Sequence, residues 1–369
     1  MNTYDVIVVG AGFSGIACAE AAAKKNLRTL LLEKKDSVTD AIHTTGILVR
    51  EIADEWQLPE RLVHRINGVR LYSPSLDYID LTAPDYYFLS TDTRGLLQWH
   101  LQQAVQNGVS IRMNTRYTCS RFSNGYHTIA DKDMRCRFLA GCDGPRSKVA
   151  GNYGLGKNKK FLIGIEAEYP PLDGILQDRL HVFLDSDLAP GYIGWIVPGV
   201  NCTQVGLACR FPNPPRLRQF IKKIAPIINL PDRPPVSHRA GLIPCGGITR
   251  FYSYENVMLL GDAAGMVSPL TAGGIHPAVH YGFQAGECIA DYIINDGNSP
   301  GKRLEQIVPR YRAKRMLRIL NDHLPIPNQL YNRIFRSVLF RSLAQTIFFH
   351  HRGLLTKEAW RDLGRIIFH

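Results

Sequence analysis

The sequence predicts an α/β fold, and three regions of the chain carry that prediction. Residues 4–9 form a short apolar run rich in β-branched side chains, and after a cluster of glycines an alanine-rich stretch follows from Ile16 to Lys25. A second apolar run, residues 28–32, completes a βαβ unit of the usual length, about 30 residues. Residues 160–245 alternate apolar runs with prolines and glycines, which is typical of an antiparallel sheet. We therefore expect a parallel-sheet domain with an inserted antiparallel β-sheet domain.

The remaining elements are predicted from periodicity and from turn residues. Residues 94–107 place apolar side chains on one face of a helix, residues 256–260 predict a buried strand, and residues 275–294 predict a long helix. The glycine-rich stretch 151–156 has no strand directly before it and is predicted to be a flexible linker. The end of the chain, residues 300–369, predicts a C-terminal helical region.

The composition predicts a folded protein with reduced thiols. With 369 residues and 45 % hydrophobic content, the chain can bury a sizeable core over two domains or one elaborated domain. Its 8 cysteines include no CxxC pair, and the N-terminus leads directly into a strand rather than a signal peptide. No apolar run reaches the roughly 18 residues of a membrane span. We therefore expect a cytoplasmic protein without a spanning helix.

Positive charge is concentrated at the C-terminal end. Of the net charge of +12, residues 300–369 contribute +10, from 14 Lys and Arg against 4 Asp and Glu. The stretches LFRSLAQTIFF and WRDLGRIIFH combine basic and bulky apolar residues at helical spacing, as interfacial helices do. Two interpretations stay open: a helical cap packed on the main body, or peripheral contact with a membrane surface. A nucleic acid partner is disfavoured.

The sequence Gly10-Ala11-Gly12-Phe13-Ser14-Gly15 matches the dinucleotide-binding pattern G-x-G-x-x-G, between a predicted strand and helix. The first glycine permits a tight turn, the second lets the backbone approach a pyrophosphate, and the third lets helix and strand pack closely. Free N–H groups and the positive dipole end of the helix then face the phosphates. Glu33, eighteen residues after the last glycine, is expected to bind the adenosine ribose and to disfavour a 2′-phosphate. The candidate residues of this Rossmann-type site are Gly10, Gly12, Phe13, Ser14, Gly15, Glu33 and Lys34.

Two later motifs favour FAD over NAD. The predicted strand 256–260 delivers Asp262 at its end, where a carboxylate can bind the ribityl hydroxyls that NAD lacks. The glycines after it let the backbone pass along a flat ring system, and the start of the next helix can stabilise negative charge on a reduced flavin. The second motif is GCDGPRSKV at residues 141–149. The additional candidate cofactor-binding residues are Asp143, Gly144, Gly261, Asp262, Pro269, Gly273, Gly274 and Ile275.

In this order, the motifs resemble those of the flavoprotein superfamily that contains para-hydroxybenzoate hydroxylase-type monooxygenases, flavin-dependent halogenases and geranylgeranyl reductases. The resemblance covers residues 1 to about 320 and implies FAD that is bound without a covalent link. The residues that match the superfamily's DG motif, its GD motif and its cofactor-contacting arginine are Asp143-Gly144 with Arg146 and Ser147, Gly261-Asp262, and Arg94.

We expect a discontinuous domain organisation. The FAD-binding domain is expected to comprise residues 1–64, 91–159 and 246–299, and the β-sheet substrate domain residues 65–90 and 160–245. The basic helical region follows from 300 to 369. Because no second nucleotide fold is visible, NAD(P)H is expected to dock transiently as the reductant. No metal site is expected, and the oligomeric state stays open.

The residues around Gly265 favour a reductase within this superfamily. After GDAAG the chain continues to Ser-Pro-Leu-Thr at 268–271, which is most similar to geranylgeranyl reductases, whereas hydroxylases usually have a histidine at the position of Gly265. The resemblance implies an FAD-dependent oxidoreductase that passes a hydride through flavin N5 to a double bond of a small apolar substrate, isoprenoid or lipid-like. The alternative is a flavin-dependent monooxygenase or halogenase. A non-enzymatic flavin-binding partner protein is a further alternative.

One departure from the reductase pattern lies at residues 191–198, GYIGWIVP. This segment is similar to the aromatic pocket motif Y-x-W-x-F-P, but the tyrosine lies one place early and Val197 replaces the phenylalanine. The candidate substrate-binding residues are Tyr192, Trp195 and Pro198. The alternative is that both aromatic side chains belong to the core.

A second departure lies at Thr45-Gly46, where the reductases typically have Cys-Gly beside the flavin. A thiol is therefore absent there, while Thr45 and Gly46 stay candidate flavin contacts. Thr45, His43 and His276 are the candidate catalytic residues, since histidine can supply a proton near neutral pH. For each histidine the alternative is an exposed or capping position.

Overall fold

The structure is a computed structural model, and it describes residues 1–230 and 234–349. The chain forms two compact units. Unit 1 comprises Met1–Ile42, Arg94–Lys160 and Ile243–Tyr311, and unit 2 comprises His43–Thr93, Phe161–Leu242 and Arg312–His369. The domain boundaries expected from the sequence stay a prediction.

The described secondary structure alternates strands and helices along the chain. The strands are β1 (Asn2–Val9), β2 (Thr29–Leu32), β3 (Ile47–Val49), β4 (Val63–Ile66), β5 (Gly68–Tyr72), β6 (Tyr78–Leu81), β7 (Phe88–Thr91), β8 (Ser110–Arg112), β9 (Ser120–Ser123), β10 (Tyr126–Ile129), β11 (Met134–Gly141), β12 (Phe161–Tyr169), β13 (Arg179–Phe183), β14 (Gly194–Pro198), β15 (Thr203–Arg210), β16 (Ser237–Pro244), β17 (Ser253–Tyr254) and β18 (Val257–Leu259). The helices are α1 (Phe13–Lys24), α2 (Arg50–Glu55), α3 (Thr93–Gln106), α4 (Lys148–Asn152), α5 (Leu217–Ile224), α6 (Ile275–Asn295), α7 (Pro300–Ile307), α8 (Arg312–His323), α9 (Asn328–Ile334) and α10 (Val338–Phe349), with 3-10 turns at Glu60–Leu62 and Gly261–Ala264.

The sheet of unit 1 has a parallel core in the order β18-β11-β1-β2-β8. Residues 6–9 of its central strand β1 are apolar and buried on both faces, as parallel strands covered by helices are. Val9 lies opposite Leu32 of β2 and Gly141 of β11, and Gly141 lies opposite Leu259 of β18. The residues that follow these four positions therefore collect at one edge of the sheet.

Helix α1 packs closely against α6 inside unit 1. Its residues from Phe13 to Ala23 are all buried, which explains the run of alanines in this helix. At Gly286 of α6, an added Cβ would lie 2.4 Å from the carbonyl oxygen of Cys18. The two helices therefore approach each other backbone to backbone, and both begin near the carboxyl edge of the sheet.

Unit 2 contains a second sheet in the order β16-β12-β15-β14-β13-β5-β6 and a smaller one in the order β3-β7-β4. The pairs formed by β12, β13, β14 and β15 are antiparallel, as predicted for residues 160–245, whereas β13 and β5 pair in parallel. One face of the larger sheet is apolar and is covered by α5, whose Leu217, Phe220 and Ile224 recur at helical spacing. The opposite face carries polar side chains on β12 and β15, such as Glu166 and Gln204, and beside them a second apolar cluster that includes Val182 and Val197. The predicted α/β fold class is confirmed by the two units.

The C-terminal part is helical through α10, and LFRSLAQTIFF forms most of that last helix. The stretch WRDLGRIIFH lies outside the described residues. Helix α8 reverses the usual pattern, because Lys314 and Arg318 are 5 % and 2 % exposed while Met316 and Leu320 are 59 % and 54 % exposed. Across the described ranges, every helix is too short or too polar to cross a membrane.

The linker predicted over residues 151–156 is wrong at its start, because α4 extends to Asn152. The hydroxyl of Ser147 accepts the N–H of Ala150 at 2.9 Å and caps this short helix. All eight cysteines lie within the described residues and carry free thiols.

Candidate functional site

The glycine turn after β1 is shaped by steric contacts at two of its three glycines. A Cβ at Gly10, whose φ is +103°, would lie 2.4 Å from the carbonyl oxygen of Cys142, and one at Gly15 would lie 1.9 Å from that of Gly10. At Gly12 the φ is −82°, and no atom of the described residues lies within 4 Å of an added Cβ. Packing therefore explains the first and third glycines. The open side of Gly12, beside an α1 N-terminus without a side-chain cap, suits a pyrophosphate.

Glu33 ties the end of β2 to the glycine turn. Its side chain is buried, and its two oxygens accept the backbone N–H groups of Ala11 at 2.8 Å and Lys35 at 3.0 Å. Each oxygen keeps a lone pair that can accept a ribose hydroxyl. Phe13 and Ser14 are buried at the start of α1, while Lys34 is exposed.

Asp143 follows β11 and uses its two oxygens differently. Oδ2 accepts the N–H groups of Lys148 at 2.6 Å and Val149 at 3.2 Å, and so caps α4. Oδ1 is buried and has no hydrogen-bond partner among the described residues. Gly144, with φ +84°, turns the chain away directly after it. A buried acceptor without a protein partner fits a ligand hydroxyl, because leaving such an oxygen unpaired is costly.

Asp262 lies in the 3-10 turn after β18, and burial raises the pKa of its carboxyl to about 6. Beside it, Gly261 has φ +56°, and a Cβ there would lie 2.5 Å from the hydroxyl oxygen of Ser14. The side chain of Asn158 donates to the carbonyl oxygens of Pro145 at 3.1 Å and Asp262 at 2.8 Å. Asn158 belongs to no motif in the sequence, and it joins the DG and GD segments.

Three motifs that are distant in the sequence therefore meet at one edge of the unit 1 sheet. Gly10 contacts the DG segment, Ser14 contacts the GD segment, and Asn158 links these two segments to each other. The edge offers an open glycine turn, an uncapped helix start and buried carboxylate oxygens. A dinucleotide with a ribityl chain needs these groups, so the residues present fit FAD.

The loop before α6 is organised by Ser268. Its N–H donates to the Gly273 carbonyl at 3.1 Å, and its hydroxyl oxygen accepts the hydroxyl of Thr271 at 2.8 Å. These bonds present the backbone of Gly273 and Gly274, and α6 begins at Ile275 without a side-chain cap. Pro269 is buried in the same loop.

Arg94, at the start of α3, donates from Nη1 to the carbonyl of Thr39 at 2.7 Å. It therefore fixes the loop that follows β2. A contact between Arg94 and the cofactor stays a prediction, as do the cofactor contacts of the other candidate residues.

In unit 2, the candidates Thr45 and Trp195 meet at a carboxylate that the sequence did not single out. Glu166 Oε2 accepts the Thr45 hydroxyl at 2.7 Å and the Trp195 indole N–H at 2.8 Å. Arg239 Nη1 lies 3.6 Å from Glu166 Oε1, and its Nη2 pairs with Glu168. Burial raises the pKa of the Glu166 carboxyl, although Thr45, Arg239 and Trp195 act in the opposite direction.

The other candidates have structural partners of their own. His43 Nδ1 lies 2.7 Å from the Ala240 carbonyl oxygen, and the ring of His276 lies 5.7 Å from that of His280 on α6. The carbonyl of Pro198 accepts the hydroxyl of Ser90 at 2.6 Å. Proton transfer by the histidines, and substrate binding by Tyr192 and Pro198, stay predictions.

Comparison with known proteins agrees with this geometry. The FAD binding domain family matches residues 95–317, and an NAD(P)-binding Rossmann-like domain matches residues 8–50. A digeranylgeranylglycerophospholipid reductase of Methanocaldococcus jannaschii is 28 % identical over 330 residues, covering 85 % of this chain and 83 % of the relative. A geranylgeranyl bacteriochlorophyll reductase-like structure from Thermoplasma acidophilum has a TM-score of 0.81 at 19 % identity, over 98 % of this chain and 100 % of that one. The chain belongs to the FAD binding domain family and is an FAD-dependent oxidoreductase that is similar to digeranylgeranylglycerophospholipid reductases.

Further relatives place the oxidoreductase in the same fold. A digeranylgeranylglycerophospholipid reductase 2 of Methanosphaera stadtmanae is 27 % identical over 332 residues, covering 84 % of this chain and 83 % of the relative. A flavin-dependent brominase structure has a TM-score of 0.71 at 15 % identity, over 94 % of this chain and 93 % of that one. Structural likeness at such low identity shows the fold alone. The predictions of FAD, of an FAD-dependent enzyme and of a resemblance to the geranylgeranyl reductases are confirmed.

The contrast between Gly12 and Gly15 leads to a test of the cofactor site. We expect Gly12→Val to weaken FAD binding on the order of 100-fold or more, because its side chain occupies the space of the pyrophosphate. The melting temperature of the apo form should be little changed, because no atom of the described residues lies within 4 Å of a Cβ added at Gly12. Gly15→Ala should reduce both FAD content and apo stability. Flavin absorbance per protein and the apo melting temperature measure the two effects, and a Gly12→Val variant with normal FAD content contradicts the assignment.

The position of Asp262 predicts that FAD binding depends on pH. Ribityl hydroxyls donate hydrogen bonds, so FAD favours the ionised carboxylate, whereas burial raises its pKa to about 6 in the free protein. Affinity should therefore fall as the pH decreases through this value, approaching tenfold per pH unit below it. Flavin fluorescence titrations between about pH 5 and pH 7 measure the effect. Asp262→Asn should remove the pH dependence, and a constant wild-type Kd over this range would refute the role of Asp262.

Proposed function

We propose that this oxidoreductase reduces carbon–carbon double bonds in the isoprenoid chains of a lipid. The observation that carries the proposal is the match, over more than four fifths of both chains, to a protein named digeranylgeranylglycerophospholipid reductase. The GDAAG segment and the residues 268–271 after it support the same reaction class. The indole of Trp195 is half-buried and packs against the second apolar cluster of unit 2, and its exposed part supplies an apolar surface for an isoprenoid chain.

On the cofactor side, the residues of unit 1 bind and orient. The open turn at Gly12 and the N-terminus of α1 hold the pyrophosphate, Glu33 holds the adenosine ribose, and Asp262 holds the ribityl chain. When bound, FAD supplies hydride transfer at flavin N5, with NAD(P)H as the transient electron donor. The contribution of the chain is to fix the position at which that chemistry takes place.

On the substrate side, reduction of a double bond requires a hydride on one carbon and a proton on the other. The reductases typically have a thiol where this chain has Thr45. The hydroxyl of Thr45 donates its one proton to Glu166 Oε2. To deliver a proton to the substrate carbon, this hydroxyl would turn from Glu166 toward the substrate and take a replacement proton from solvent, and Thr45 is the candidate group for that step.

The alternative reaction class, a monooxygenase or halogenase, is supported by the fold shared with a flavin-dependent brominase. It is less favoured because the chain has Gly265 where hydroxylases usually have a histidine. The two classes differ in their use of oxygen, which makes them separable by experiment.

The decisive assay offers a geranylgeranyl lipid to the reduced holoenzyme under anaerobic conditions. We expect two hydrogens to be added per double bond, detected by mass spectrometry, together with reoxidation of the flavin. Thr45→Val should lower kcat by about tenfold or more, while Thr45→Ser, which keeps the hydroxyl, should retain most of it. Product oxygenation with a flavin hydroperoxide absorbance, or halide-dependent product, would instead assign the alternative class.

We propose further that helix α8 contacts an anionic membrane surface. Its outward face combines the apolar side chains of Met316, Ile319 and Leu320 with Arg312 and Arg315. Residues 312–349 hold seven Lys and Arg against one Asp. Basic side chains near an anionic leaflet contribute about 1 kcal/mol each, and exposed apolar residues add burial in the interface. Contact between this surface and a membrane would bring the enzyme to a lipid substrate.

The inward face of α8 explains how an apolar outer face is tolerated. Arg318 Nη1 donates to the Gly191 carbonyl at 2.8 Å, and its Nη2 lies 3.1 Å from Asp322 Oδ1. Asn321 also donates to the Gly191 carbonyl, at 3.3 Å. Polar contacts therefore fix the helix to unit 2, and burial of its apolar residues is not needed for that purpose.

Sedimentation with phosphatidylglycerol vesicles tests the membrane contact. We expect the protein to sediment at low salt, to dissociate as salt rises, and to remain in the supernatant with phosphatidylcholine alone. Ile319→Ser with Leu320→Ser should reduce sedimentation, and so should Arg312→Ser with Arg315→Ser. Val236→Ser, at an apolar residue that is 70 % exposed and outside α8, is the matched control. Equal recovery in the supernatant with and without anionic vesicles would leave α8 without this role.

A further inference from the structure

The strand pairing of unit 2 places Glu166 and Trp195 on either side of Gly206. Strand β15 lies between β12 and β14, and its Gly206 pairs with Glu166 on one side and with Trp195 on the other. Because directly opposed residues share a face, both side chains rise from the same surface of the sheet. A Cβ at Gly206 would lie 2.7 Å from atoms of the indole ring. The ring therefore crosses the middle strand at a position without a side chain, and its N–H reaches Glu166.

Thr45 reaches the same carboxylate oxygen from a distant part of the sequence. The backbone around it is fixed on both sides, because Arg239 donates to the Thr44 carbonyl at 3.1 Å and Thr91 donates to the Gly46 carbonyl at 2.9 Å. The hydroxyl donates to Glu166 Oε2 at 2.7 Å. One oxygen atom thus sets both the direction of this hydroxyl and the edge of the Trp195 ring.

Stability alone does not explain a carboxylate at this place. Glu166 is 3 % exposed, and its Oε1 and the Nε of Arg239 have no hydrogen-bond partner within residues 1–230 and 234–349. Buried ion pairs pay a desolvation cost, and well-packed apolar residues can often replace them without loss of stability. What distinguishes this carboxylate is the pair of side chains that it holds. One is the candidate at the flavin edge and the other is the candidate in the substrate pocket.

We propose that Glu166 is a positioning residue of the reaction site, whose Oε2 holds the Thr45 hydroxyl and the Trp195 indole in one fixed arrangement and so orients the reacting double bond. The inference rests on the proposed reduction of an isoprenoid chain. Reaction requires the atoms to lie about 3–3.5 Å apart, and a displacement of about 1 Å can cost a factor of 100 in rate. An apolar chain has no polar group by which to be aligned near the double bond. Alignment therefore depends on how firmly the Trp195 ring and the Thr45 hydroxyl are held relative to each other.

The test combines a spectroscopic measurement with kinetics on the holoenzyme. The chain contains 4 tryptophans, so indole ¹H–¹⁵N spectra of ¹⁵N-tryptophan-labelled protein contain a small set of signals, and Trp195→Phe assigns one of them. Glu166→Leu removes the acceptor at similar size, and Glu166→Gln keeps an acceptor without the charge. Glu168→Gln is the matched control, because Glu168 binds the same Arg239 but accepts from neither Thr45 nor Trp195.

We expect the Trp195 signal of Glu166→Leu to move upfield, as for an indole that has lost a charged acceptor. The value of kcat should fall by about tenfold to a hundredfold with a smaller change in KM. Glu166→Gln should recover part of both effects, and Glu168→Gln should resemble the wild type in both.

Two results would overturn the inference: an unshifted Trp195 signal in Glu166→Leu, or a shifted signal with kcat equal to that of Glu168→Gln. If Glu166→Leu does not retain FAD, the same two measurements on Glu166→Gln decide. An unshifted Trp195 signal in Glu166→Gln, together with a kcat equal to that of Glu168→Gln, would then reject the inference. Failure of the wild type to reduce any isoprenoid lipid would refute the proposed function, and the indole signals identify that case separately because they do not depend on turnover.

Discussion

The cofactor site of this oxidoreductase depends on one steric constraint: helix α1 has to begin where the carboxyl ends of β1 and β11 meet. The contacts at Gly10 and Gly15 leave no room for a Cβ, so the turn can close only with glycine at both positions. Closure in turn directs the first N–H groups of α1 toward the edge where Glu33, Asp143 and Asp262 collect. A side chain at Gly10 or Gly15 would displace the start of α1. The N-terminal end of the helix would then no longer face the three carboxylates.

Much of unit 1 could be predicted from the sequence because its signals are local. The glycine spacing, the apolar run before it and Glu33 after it each lie within one βαβ unit. The DG and GD segments follow buried strands, and parallel strands end at a common edge, so strand ends that are distant in the sequence meet there without further information. Asn158 was missed for the opposite reason. Its side chain bonds two backbone carbonyls, Pro145 and Asp262, and no residue type in those positions indicates which donor will reach them.

Unit 2 could be predicted only in class, since its important contacts depend on strand register. The alternation of residues 160–245 predicts antiparallel strands, but a shift of one residue would turn Glu166 to the opposite face. Its neighbours Ile165 and Ala167 are apolar. An acidic residue between two apolar ones is the usual pattern of a strand with one exposed face, so the sequence alone predicts that Glu166 is exposed. Only the pairing across Gly206 shows that the side chain is buried beside Trp195. Helix α8 likewise has ordinary amphipathic spacing, and its orientation follows from the partners of Arg318.

The departures from the reductase motif acquire a physical meaning once the strands are placed. Trp195 and Val197 lie on one face of β14, whereas Tyr192 precedes the strand, and Val197 is buried in the apolar cluster against which Trp195 packs. The proposed pocket therefore has one aromatic ring on this strand, where the motif has more than one. A single ring fixes a substrate less firmly than two unless the ring itself is held. Glu166 restrains the ring through the indole N–H, and Arg318 of α8 fixes the backbone at Gly191, three residues before the strand begins. Under the proposed function, alignment of the substrate therefore depends on a hydrogen bond to one aromatic ring, and loss of the motif's phenylalanine is compatible with that proposal.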